Sequence, residues 1–113
     1  MQSSQTIGFH ESTLVGVHRA GGTITLELED VHLGDEIHSA VIRLSGVKSL
    51  TQDGTAVEDL ILECKDGEIL TLQHTETAMQ LIIEWTDFKK HLSETHSYRI
   101  IFDSIETEIG PAS

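Results

Sequence analysis

At 113 residues the chain is sized for one domain, and a domain of this length buries about two-thirds of the surface it exposes unfolded, so no staples are required. Seven Lys and Arg against nineteen Asp and Glu leave a formal charge of −12. That field repels phosphate backbones and anionic headgroups and excludes nucleic acid and membrane surfaces as favoured partners.

Met1–Thr6 is polar, with neither the basic nor the apolar stretch of a secretory leader, and reads as a loose end. No apolar run approaches the ~20 residues of a membrane span, so the cytoplasm is the expected location. Thr13–Ala20 and Thr23–Asp30 alternate apolar and polar residues around Gly21-Gly22, the pattern of a two-residue type I′ hairpin. That loop sets Val17 against Leu26, Val15 against Leu28 and Arg19 against Ile24, and leaves Leu14, Gly16, His18, Thr25, Glu27 and Glu29 on the other face. An acidic, histidine-containing connection, Val31–Ile37, leads to a strand over about His38–Lys48, with Ala40, Ile42 and Leu44 inward and Gly46 at a bulge or close approach. Gln52-Asp53-Gly54 is a turn signal.

Leu60–Trp85 contains three apolar runs of strand length and reads as an antiparallel meander. A three-residue loop at Lys65-Asp66-Gly67, with Gly67 left-handed, opposes Leu62 and Leu70. A four-residue loop at 75–78 opposes Leu72 to Leu81 and Leu70 to Ile83. The expected core face is Leu60, Leu62, Cys64, Leu70, Leu72, Met79, Leu81, Ile83 and Trp85. Cys64, the only cysteine, has no internal disulfide partner and counts here as a small hydrophobe. A competing period runs through Ala78, Leu81, Ile82, Trp85, Phe88 and Leu92, with Thr77 and Gln80 as a capping box, and makes 77–92 an amphipathic helix. The β-branched content of 80–86 favours the strand.

Phe88–Ser97 reads as a polar excursion, Tyr98–Ile105 as the last strand, and 106–113 as a frayed tail. The sum is a single all-β domain over 1–113, an antiparallel two-sheet sandwich of about seven strands. A partly open barrel is the second choice, and an α+β fold with a helix at 77–92 the third. Ile61, Ile69, Ile82 and Ile101 fall opposite the core, which implies a second layer or an association surface.

The segment Phe9-His10-Glu11-Ser12-x-Leu14-x-x-Val17, with Ile83-Glu84-Trp85-Thr86-Asp87-Phe88 and Tyr98-Arg99-Ile100, resembles small bacterial domains of unknown function. Their opening often reads Phe-His-Asp-Ser, and here Glu11 stands in place of the Asp. Some such domains are grouped with immunity proteins of bacterial polymorphic toxin systems, so the resemblance implies a non-enzymatic role in binding and neutralising a protein.

Three functions follow as expectations. The first is a protein-binding module that presents Glu27, Glu29, Asp30, Asp35 and Glu36 to a basic partner. The second is a metal-binding protein or metal-dependent hydrolase using His10, His32 and His38, with Zn²⁺ the natural ion for imidazole and carboxylate donors. The spacing His32-x5-His38 is not a recognised ligand pattern, and an acidic solvated loop is the simpler account of it. The third is a homo-oligomeric structural subunit joined through the isoleucine face. His10-Glu11 as an acid–base pair lacks any accompanying nucleophile or oxyanion donors, so no catalytic residue is assigned. His91 and His96, with His32 and His38, would make association sensitive to pH near 6.

Overall fold

Alternation of side chains decides the architecture: every long strand has one row that must leave water, and the only way to bury all those rows is against each other. The computed structural model describes residues 7–9, 11–58, 60, 67–87 and 89–112. They form ten strands and no helix: β1 Ile7–Gly8, β2 Thr13–Ala20, β3 Thr23–Leu33, β4 Glu36–Ser45, β5 Ser49–Gln52, β6 Thr55–Ala56, β7 Gly67–His74, β8 Ala78–Asp87, β9 Leu92–Ile101 and β10 Ser104–Ala112. No helix long and apolar enough to cross a membrane occurs among the described residues.

The fold is all-β and antiparallel, as expected, but its ladders run as one open path, β10-β4-β3-β2-β7-β8-β9-β5-β6, with β1 beside β3. Two separate sheets of about seven strands are therefore corrected to one continuous sheet. The join between its halves is narrow: β2 meets β7 only at Thr13↔Glu68 and Leu14↔Gly67. Inward residues from both halves, among them Leu26, Leu28, Ile42 and Leu44 on one side and Leu81, Ile83, Trp85 and Tyr98 on the other, belong to one buried core.

The helix alternative over 77–92 fails. Residues 78–87 are β8, paired along their whole length with β9 from Ala78↔Ile101 to Asp87↔Leu92. Period 2 prevails because Met79, Leu81, Ile83 and Trp85 are all buried on one face, as the parity argument requires. The polar run 92–97, expected as an excursion, is the first half of β9, held by that ladder rather than by apolar side chains of its own. The tail expected to fray is β10, which pairs with β4 from Ser104↔Ser45 to Ala112↔His38.

Three bulges explain where the expected faces are wrong. In β2 the register shifts between Leu14 and Gly16, so Leu14, not Val15, opposes Leu28 and is fully buried. In β7 the shift between Ile69 and Thr71 puts Ile69 opposite Ile83, in the core, while Leu70 and Leu72 are only half-buried; Leu72 does oppose Leu81. In β3 the shift between Leu28 and Val31 leaves Asp30 at φ 58°. Two glycine expectations also change. Gly21 alone takes positive φ, the requirement of a type II′ turn rather than I′. Gly67 is not a left-handed turn residue but the first residue of β7: a Cβ there would sit 2.6 Å from both Ile83 Cγ2 and the Trp85 ring. The Leu62–Leu70 pairing and the environments of Leu62 and Cys64 lie outside the described residues, while Leu60 is buried as expected.

The chain passes between the halves twice, through 46–48 and 102–103, and these passages touch. Asp103 N–H donates to the Ser45 carbonyl at 2.9 Å, Lys48 Nζ lies 2.8 Å from Asp103 Oδ1, and Gly46 leaves room that a Cβ would contest with Asp103 Cβ at 2.8 Å.

Candidate functional site

The densest electrostatic arrangement begins with a turn. Gln52↔Thr55 closes the β5–β6 hairpin over Asp53-Gly54, both at positive φ (52° and 85°), as a type I′ turn demands. Asp tolerates that conformation better than most residues because its short side chain bonds locally. Here the carboxylate reaches across to β9, where Oδ1 accepts the Ser97 N–H at 2.8 Å and Oδ2 lies 2.6 Å from His96 Nδ1; the Asp53 N–H donates to the Ser97 carbonyl at 2.7 Å.

On β9 the inward row is Glu94, His96, Tyr98 and Ile100, because Ile83 pairs with His96 and Leu81 with Tyr98. His96 is thus held between two carboxylates, with Nε2 3.2 Å from Glu94 Oε2 and its side chain 20% exposed. Hydrogen bonding to Asp53 is the largest cause that raises the His96 pKa; burial opposes it and Glu94 adds to it. Asp53 is held below the usual carboxylate range, first by the Ser97 N–H and then by His96. The His96 ring meets Tyr98 edge-on at 6.4 Å, and the Tyr98 hydroxyl accepts the Trp85 indole N–H at 2.9 Å inside the core. With both ring nitrogens facing carboxylates, the site favours the charged form of His96 and ties a turn to a strand.

The residues expected to bind a partner follow the β3–β4 hairpin. Glu27 and Glu29 lie on the outward face, paired with Gly16 and Thr13. Glu27 Oε1 is 2.8 Å from His18 Nε2 and lies where a Cβ on Gly16 would be. Asp30, in the bulge, accepts the Thr13 hydroxyl at 3.0 Å, and Asp35 and Glu36 are exposed at the tip. The next strand continues the acidic row: Glu108 pairs with Val41 and Glu106 with Arg43, whose Nη1 lies 3.0 Å from Glu108 and 3.4 Å from Glu106. Sequence reading missed Glu106 and Glu108 because the end of the chain, with Pro111, was read as frayed although Ile105, Thr107 and Ile109 alternate with the two glutamates.

Of the expected metal ligands, His32 and His38 are not brought together. Val31 pairs with His38 and His32 with Ile37, so His32 and His38 occupy opposite faces of the sheet. His38, nearly buried, has Nδ1 2.7 Å from the Gly110 carbonyl and Nε2 3.3 Å from Glu36 Oε1, while His32 is exposed. His10 lies outside the described residues. No group of three or more His, Cys, Asp or Glu that could hold a metal ion occurs among the described residues. Of the histidines expected to tune association, His91 is exposed at φ 54° in the β8–β9 turn and stands apart from the buried side of His38.

Among the described residues, an open cleft of about 470 Å³ lies beside Arg19, Lys48, Leu50 and Val57, and another of about 370 Å³ beside His74, Met79 and Arg99. In the first, Arg19 donates through Nη1 to the Glu58 carbonyl and through Nε to the Gly21 carbonyl at 3.2 Å. No family model, curated protein or solved structure matches this chain.

Proposed function

We propose that the protein is a non-enzymatic binding module that presents the acidic outward face of β3, β4 and β10 to a basic protein partner. The observation that supports this most directly is the shared side of these carboxylates: Glu27 and Glu29 on β3 and Glu106 and Glu108 on β10 lie on the outward side of the β3-β4-β10 ladders, with Asp35 exposed at the hairpin tip, whereas Glu36 turns to the other side and meets His38. Arg43, shared between two carboxylates, leaves the patch acidic. A β surface of net negative charge attracts a basic partner before contact and fixes register on arrival, so the association rate falls with ionic strength. The resemblance of Phe9–Val17 to immunity-like bacterial domains favours a protein partner over a small ligand and makes an immunity-like role the natural setting. The fold reading that accompanies it is two facing layers, β10-β4-β3-β2 over β7-β8-β9-β5, which the shared core and the shortest molecular dimension of 22 Å favour.

Glu29 and Asp35, both exposed, provide the test. Glu29→Lys with Asp35→Lys is expected to abolish capture of a basic partner from host extract, and raising salt is expected to do the same to the unaltered protein. Capture that survives both would overturn the electrostatic reading.

A further inference from the structure

We infer that β10 is a docking edge that accepts an extended, basic segment of the partner as an added strand. β10 ends the strand path and, among the described residues, pairs on one side only, with β4. Its register with β4 is unbroken from Ser104 to Ile109, about the length of an ordinary strand, before the irregularity between Ile109 and Ala112. A strand edge of this kind offers a row of backbone donors and acceptors to any extended chain.

The side chains choose the occupant. Glu106 and Glu108 stand on the outward face with side chains 72% and 64% exposed, while Ile105 and Ile109 lie on the other face, packed at the rim of the core. An added strand with Lys or Arg at alternate positions would set its cations opposite the two glutamates and its aliphatic residues over the two isoleucines. A second copy of this chain is the wrong occupant: antiparallel self-pairing would bring Glu106 and Glu108 of both copies together, and like charges directly opposed destabilise a ladder. Pro111, beyond the regular register, limits the edge at its far end.

This inference rests on the acidic reading above, and the experiment separates the two. The probe is a capped peptide of alternating lysine and valine, about six residues long, titrated into ¹⁵N-labelled protein, with a glutamate–valine peptide as control. Amides of 104–109 are expected to shift and to gain protection from hydrogen exchange with the basic peptide only. Glu106→Gln with Glu108→Gln is expected to weaken binding about three- to tenfold, and Glu76→Gln, exposed in the turn between β7 and β8, to leave it within about twofold. The glutamine pair keeps side-chain shape; circular dichroism verifies that it folds. Shifts confined to residues 27–36 would overturn edge docking while leaving the acidic face standing. Absence of binding to either peptide, or protection of 104–109 by self-association of the chain alone, would also overturn it.

Discussion

Replacing Tyr98 with Phe removes one oxygen from the interior and leaves the Trp85 indole N–H, 2.9 Å from that oxygen, without its acceptor. Both side chains are essentially inaccessible, at 0% and 1% exposure, so water cannot take over the bond. A buried donor stranded in this way costs about 1–3 kcal/mol, whereas the loss of volume is too small to add a cavity term of similar size. Unfolding entropy of about 2.1 cal/mol/K per residue over 113 residues converts each kcal/mol into roughly 4 °C, so Tyr98→Phe should lower Tm by about 4–12 °C. Calorimetry should be run alongside Trp85→Phe and the double variant. In the Trp85→Phe background the indole donor is gone, so the effect of Tyr98→Phe should be smaller than in the native protein. An equal Tm loss in both backgrounds, or a loss below about 1 °C in the native one, would refute the reasoning.

Gly67→Ala should destabilise by about 1–3 kcal/mol, read as a lower urea midpoint, because the new methyl would lie 2.6 Å from a β-branched side chain and an aromatic ring, neither of which can swing away. The pH dependence should follow His96. Its pKa is raised on folding, so its contribution is complete below the ordinary imidazole value and is lost as pH rises through the elevated one. Asp53 is lowered, so its share is present above the ordinary carboxylate value and is lost as pH falls through the depressed one. Melting curves between about pH 6 and 9 should therefore slope downward for the native protein and flatten for His96→Gln; parallel curves would show that the pair carries no linkage.

What could be read from residue order was set by strands with an uninterrupted zigzag. Met79, Leu81, Ile83 and Trp85 declare their face because nothing shifts their parity, and Ala40, Ile42 and Leu44 do the same. Parity misled at Leu14 and at Ile69, where one extra residue in β2 or β7 exchanges the two faces and leaves no compositional trace. The first half of β9 was illegible for another reason: Ser93, Glu94 and Thr95 are strand only because β8 lies beside them. The Asp53–His96 pair joins residues that only the β5–β9 ladder brings together, so the signal available in the sequence was the Asp-Gly turn and not its partner. The opposite-face placement of His32 and His38 needed the β3 bulge to be known first.

The ladder between β4 and β10 has a kinetic consequence. Ser45 and Ser104 are far apart in sequence yet paired in the ladder, and the two passages at Gly46 and Asp103 pack against each other beside that pair. Closing so wide a loop is entropically slow, and topologies dominated by such distant pairings fold in milliseconds to seconds rather than microseconds. Until closure, the flank of β4 stays bare, which makes this strand the place where a stalled molecule would aggregate.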